Sequence, residues 1–247
     1  LAPLGIWSFA RNWFFPNLLP QEWGLDAWRY VFSPTSRVGE GLVTSLALAF
    51  VVVLLSIVVG LPAARVLGMQ EFRGKRTVEW LIMLPIIVPT LVVAMGIQIV
   101  FIRYGLADTF AGVALVHLVP ALPYFVLVMA SVFANYSVEL EETARTLGAN
   151  PLRTFWYITL PAIFPGLVVA SLFTFLVSWS QYITTLLIGG GRIITLPMVL
   201  FPFISGASHA RAAAISIVFI LPAILVLILT SRTLSKEAGA VSGFGRL

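Results

Sequence analysis

The chain has 247 residues, of which 60% are hydrophobic and only 10% charged, and its mean hydropathy is +1.01. A soluble domain carries about a quarter charged residues, and a monomer of this size cannot hide so much apolar surface in its own core. The composition places the chain in lipid, so the net charge of +5 reports how 15 Lys and Arg are distributed about a bilayer, not an affinity for nucleic acid. The absence of cysteine excludes disulfides, thiol catalysis and thiolate metal sites.

In chain order, residues 1–10 (LAPLGIWSFA) are apolar but too short to span, and read as the tail of a first transmembrane helix. Residues 11–40 hold Trp13, Trp23, Trp28 and Tyr30 among apolar neighbours. That is the composition of an external interfacial belt, with docking of an external partner as its second possible role. Long charge-free runs then predict spans at 42–65, 80–102, 110–136, 163–188 and 212–231. Between them lie a cytoplasmic loop at 139–161 and an external loop at 189–211, and a cytoplasmic tail follows at 232–247. The runs are continuous rather than alternating, which excludes membrane strands and leaves helices, whose backbone groups are satisfied within the segment. The expected fold is an all-α integral membrane protein, a polytopic bundle of six transmembrane helices, five complete plus the tail of the first. Prolines at 85, 89, 120, 123, 165 and 222 predict kinks.

Basic residues set the orientation. Arg65, Arg73, Lys75, Arg76, Arg145, Arg153, Arg232, Lys236 and Arg246 fall on one side, against Arg11, Arg29, Arg37, Arg103, Arg192 and Arg211 on the other. The dense cluster at 65–76 marks the first side as cytoplasmic, and both termini with it.

The sequence carries no HExxH or GxSxG motif, and His117 and His209 lie in different segments, so no catalytic or metal site is expected. All ten acidic residues fall in loops, whereas ion-driven transporters place carboxylates within spans. A transporter of this composition draws its energy from a partner.

The 139–161 loop is the most informative segment. Glu139, Glu141 and Glu142 suit a first helical turn, where the macrodipole favours negative charge. Leu140, Ala144 and Leu147 form a short apolar stripe, Gly148 suits a left-handed cap, and Asn150-Pro151 restarts a second short helix whose apolar face is Phe155, Trp156 and Ile158. Two short helices at a bend, uncovered by the rest of the chain, fit a groove on another protein.

The order Glu142-Thr143-Ala144, Gly148, Ile158, Leu160-Pro161 and Pro165 resembles the EAA loop of binding-protein-dependent ABC importer permeases, with Thr143 in place of the usual Ala. The external segment and Ile194 to Pro197 are similar to the second permease of the spermidine/putrescine-type group. The resemblance implies the type I importer permease fold in a prokaryotic inner membrane. It implies a cytoplasmic ABC ATPase dimer that holds ATP and Mg (no cofactor in this chain), a second permease subunit, different rather than identical, and an external solute-binding protein. It makes Glu142, Ala144, Gly148, Asn150, Pro151, Leu160 and Pro161 the ATPase-coupling residues.

The most polar stretch within a span gives a candidate translocation path of Ser178, Ser180, Gln181, Tyr182 and Thr185, against plain interhelical hydrogen bonding. His117 reads as a packing residue. A polyamine path would carry acids near Ser180 and Gln181, which this one lacks. Polyamine-like, opine-like, thiamine-like and phosphorylated solutes all remain open. The competing reading of the whole chain is a non-ABC helical membrane protein, a channel subunit or scaffold.

Overall fold

The computed structural model describes residues 2–13, 16–206 and 208–243. Leu1, Phe14, Phe15 and Arg246, counted above, lie outside them, as do the side chains of Arg232 and Lys236. The chain opens with a short helix, α1 (Ala2–Ser8), and a two-stranded hairpin, β1 (Ala10–Asn12) with β2 (Glu22–Trp23). Helix α2 (Asp26–Val31) and a 3-10 turn at Pro34–Ser36 lead into α3 (Val38–Met69). The bundle continues through α4 (Lys75–Ile87), α5 (Thr90–Arg103) and α6 (Phe110–Ala134). After α7 (Glu139–Thr146) come α8 (Pro151–Thr154), a π turn (Phe155–Thr159) and α9 (Leu160–Trp179). The chain ends with α10 (Ile183–Gly189), α11 (Leu196–Ser205) and α12 (His209–Gly243).

Four helical stretches are long and apolar enough to cross a membrane, and α4 with α5 makes a fifth if the bent pair is one span. The expected 80–102 span is therefore not one straight helix: α4 and α5 meet at 100°. Pro89 lacks an N–H and pushes Val88 into extended backbone (ψ 133°), while Pro85 removes another ladder bond. The expected 163–188 span also changes. It starts at Pro151, continuous through the π turn, and stops at Trp179, with α10 a separate piece. Pro161 has no N–H for the carbonyl four residues back, and the Leu160 N–H bonds Phe155 O instead, one residue further than in an α-helix.

The expected belt at 11–40 is only partly a belt. Trp23, Leu18 and Phe32 are exposed, but Trp28 and Tyr30 pack against the cluster of α2, α3, α9, α11 and α12. Tyr30 stacks edge-on to Phe203 and lies 4.7 Å beneath the Arg211 guanidinium.

Helices α3 and α6 form the centre and run in the same direction. Their seam is lined by small residues, which let backbones approach where lipid gives no hydrophobic drive between helices. A Cβ on Gly60 would lie 2.7 Å from the Phe125 ring, and one on Gly68 only 2.5 Å from Ala130 O. At the opposite end of α3, Ser45 Oγ accepts the Leu196 N–H at 2.8 Å, fixing the start of α11. The α4–α5 face leaves Trp80, Leu81, Ile87, Val92 and Ile99 exposed, a surface suited to lipid or another apolar partner.

Gly68→Val is expected to lower the thermal stability of the detergent-solubilised protein, at a cost of about 1–3 kcal/mol from overpacking. Gly96→Ala, where a Cβ meets nothing within 4 Å, serves as the control and leaves the melting temperature unchanged.

Candidate functional site

Two places hold the residues singled out above. The first is the corner made by α7, Gly148 and α8. Three glutamates occupy the first turn of α7, and Gly148 reverses the chain at φ +85°, a conformation that costs a residue with a side chain roughly 1–2 kcal/mol. Asn150 then caps α8, its Oδ1 accepting the Arg153 N–H at 2.8 Å with Pro151 in the first turn. Glu142, Gly148, Asn150, Pro151 and Pro161 are exposed, and Ala144 and Leu160 are half-buried. Leu140, Leu147, Leu152, Trp156 and Tyr157 project from the same corner, Leu147 with 84% of its surface exposed. The second short helix expected here is instead the beginning of the α9 rod, and its apolar face divides. Phe155 and Ile158 turn partly inward, while Trp156 turns out.

The second place is the break between α9 and α10. The candidate path residues do not share one lining. Ser178 and Thr185 are buried, Ser180 is exposed, and Gln181 and Tyr182 are half-buried. His117, expected to be a packing residue, is the centre of this group. It sits 1% exposed on α6, its Nδ1 3.0 Å from Ser178 Oγ and its Nε2 2.8 Å from Thr185 Oγ1.

The network assigns the tautomer. Thr185 donates its hydroxyl proton to Gln181 O at 3.1 Å, so it accepts from Nε2–H, and Nδ1 accepts from Ser178. Thr184 donates to Gln181 Oε1 at 2.8 Å, and the Tyr182 ring stacks on Phe201 with centroids 3.9 Å apart.

Gln98 of α5 completes this arrangement. Its Nε2 donates to Leu187 O at 3.2 Å, and the Asp108 N–H donates to Ile188 O at 2.7 Å, so the last carbonyls of α10 are met from two neighbouring segments. Gln98 is absent from the path residues expected from the sequence. A lone large amide within an apolar helix was the signal available.

Reasoning from sequence also missed Glu141 and Arg65. Glu141 is buried at 2% exposure, its Oε2 2.6 Å from Arg65 Nη2 and its Oε1 accepting from Thr159 at 2.7 Å. Burial pushes this carboxyl up, but the hydrogen bonds from Arg65 and Thr159 and the Arg65 charge outweigh it and hold the group below the usual carboxylate range.

Apolar helices long enough to cross a membrane, broken at polar residues and presenting an uncovered corner outside the bundle, describe a polytopic α-helical membrane protein. The chain belongs to the family described as "Binding-protein-dependent transport system inner membrane component", whose sequence model matches residues 56–235. It is 28% identical over 215 residues to the molybdenum transport system permease protein ModB of Mycobacterium tuberculosis, covering 81% of each chain. It is 26% identical over 235 residues to the trehalose transport system permease protein SugB of the same species, covering 92% of this chain and 85% of that one.

Among solved structures, a chain of a bacterial ABC transporter that imports the acidic polysaccharide alginate superposes with a TM-score of 0.70. It is 18% identical, with coverage of 93% and 88%. A chain of the MetNI methionine transporter gives 0.65 at 19% identity, with coverage of 83% and 99%. The protein is thus an ABC importer permease, a transport component of the membrane and not an enzyme.

Thr185→Val leaves the Nε2–H of His117 buried without an acceptor, a loss of about 1–3 kcal/mol. The expected outcome is a lower melting temperature, partly recovered when His117 is also replaced by Leu. An unchanged melting temperature in Thr185→Val contradicts the assigned network.

Proposed function

We propose that this permease forms one half of the translocation path of an ATP-driven importer. It pairs with a second, different permease subunit, rests on a dimer of cytoplasmic ATPases that bind ATP and Mg, and takes its solute from an external binding protein. The observation that carries this reading is the α7–Gly148–α8 corner. An exposed apolar set (Leu140, Leu147, Leu152, Trp156, Tyr157) surrounds a turn built on a left-handed glycine and a capped helix start. Such a corner is uncovered in this chain and shaped for a cleft on another protein. Nucleotide-driven closure of the ATPases displaces the corner as a rigid body.

The orientation follows from the same placement. The corner lies beside Arg65, at the end of the bundle that carries Arg73, Lys75 and Arg76, and the excess of positive charge makes that end cytoplasmic. The exposed α4–α5 face is the surface that suits a partner permease.

Among the described residues the polar groups at the α9–α10 break itself are hydroxyls, amides and a histidine, which supports a solute that crosses this point without a fixed counter-charge. Among relatives, the names molybdenum and trehalose support a small oxyanion or sugar over the polyamine-like, opine-like, thiamine-like and phosphorylated solutes suggested by sequence alone.

The coupling reading is tested by Gly148→Asp and Glu142→Lys. Each is expected to abolish most uptake and solute-stimulated ATP hydrolysis, Gly148→Asp more severely, with loss of the ATPase from the purified complex as a further sign. Wild-type uptake in Gly148→Asp overturns it. Orientation is tested on the cysteine-free background. Cysteines at positions 37 and 192 should react with an impermeant thiol reagent outside spheroplasts, and cysteines at 73 and 153 should not.

A further inference from the structure

Two adjacent glutamates of α7 face opposite ways. Glu142 is exposed, whereas the Glu141 side chain is 3% exposed and is surrounded by partners from three elements. Arg65 at the cytoplasmic end of α3 reaches it at 2.6 Å, Thr159 in the π turn donates to it at 2.7 Å, and Arg145 one turn along α7 stands 3.7 Å away. The Arg65 guanidinium is itself held over the Phe133 ring of α6, 6.0 Å from its centroid. One carboxylate therefore ties the coupling corner to α3, to the head of α9 and, through Arg65, to α6.

A buried carboxylate is tolerated only while it is paired, so this contact has one satisfied geometry. The apolar residues of the corner supply little alternative hold, since Leu140 and, just past the helix, Leu147 point outward and Ala144, only half-buried, offers a single methyl group. A short helix of eight residues does not persist by its own propensity, and its orientation has to come from tertiary contacts.

We infer that the Arg65–Glu141–Thr159 cluster is the pin that sets the angle of α7 on the bundle. Arg65 and Glu141 are then positioning residues through which motion of the corner reaches the spans. The inference rests on the coupling role proposed above for the corner. It separates the functions of neighbouring acids: Glu142 faces the partner, and Glu141 faces inward and fixes the direction in which the partner's motion enters.

The test combines a distance with a coupling ratio. Because the chain has no cysteine, nitroxide labels at exposed Val58 and Leu147 report the α3–α7 separation in the purified protein. The native protein is expected to give one narrow distribution, and Arg65→Lys, which keeps the charge, to retain it. Glu141→Gln should at least double its width. In the assembled transporter, uptake per ATP hydrolysed should fall well below the native ratio.

Should Glu141→Gln fail to assemble, the double variant Arg65→Gln with Glu141→Gln removes the pin without leaving an unpaired buried charge, and it is expected to broaden the distribution equally. A narrow distribution in the double variant, or native uptake per ATP in either variant, overturns the pin. A wild-type permease that recovers no ATPase overturns the coupling reading instead, and the distance measurement still decides whether Arg65 and Glu141 set the angle of α7.

Discussion

Backbone groups in lipid have no water to turn to, so each interruption of a helix must be answered by a donor or acceptor from another part of the chain. That constraint organises this protein. The interruption at 180–182 leaves carbonyls at the end of α9 and along α10, and each described partner is specific. Gln98 bonds Leu187 O and Asp108 N–H bonds Ile188 O from distant segments, while the Thr185 side chain meets Gln181 O locally. His117 then joins the two sides of the interruption from α6. Gln98 and Thr185 are placed where the main chain needs a donor, and Ser180, Gln181 and Tyr182 are the part of the stretch still reached from outside.

The spans were legible because continuous apolar runs have one solution in a bilayer. The corner was legible because Gly148, Asn150 and Pro151 act through local backbone chemistry: a positive φ, a side-chain cap and a missing N–H. The breaks were less so. Pro85 and Pro89 read as kinks, and whether a proline pair bends a helix or turns it through 100° depends on what α5 packs against, which is α10 through Gln98. The 178–185 stretch read equally as a path or as interhelical bonding, and the structure places Ser178 and Thr185 in interhelical hydrogen bonds to His117 while Ser180 stays exposed.

Glu141 illustrates the limit most clearly. On the sequence it is one of three acids in a helical turn, indistinguishable from Glu139 and Glu142 by spacing or by macrodipole argument. Its partner Arg65 is 76 residues away, and in sequence Arg65 counts only as one more cytoplasmic charge. Long-range pairing of this kind leaves no periodic signature. It appears only when the parallel packing of α3 and α6, with glycines at positions 60 and 68, brings the end of α3 beside α7.

The continuity of α8, the π turn and α9 has a mechanical consequence. Residues Pro151–Trp179 make a single rod of 29 residues, about 43 Å long at the ordinary helical rise. One end is the α7–Gly148–α8 corner and the other is the polar interruption at 180–182. A stiff lever of that length turns a small tilt at one tip into a sideways sweep at the other, and its fulcrum lies wherever the rod is held hardest. Ile163 and Ala170, both fully buried against α3 and α6, lie on either side of the rod's midpoint, which makes the two arms similar in length. A shift at the corner is thereby returned at Ser180 and Gln181 at similar size and in the opposite direction, with the wider π turn between corner and fulcrum as the place where twist is taken up.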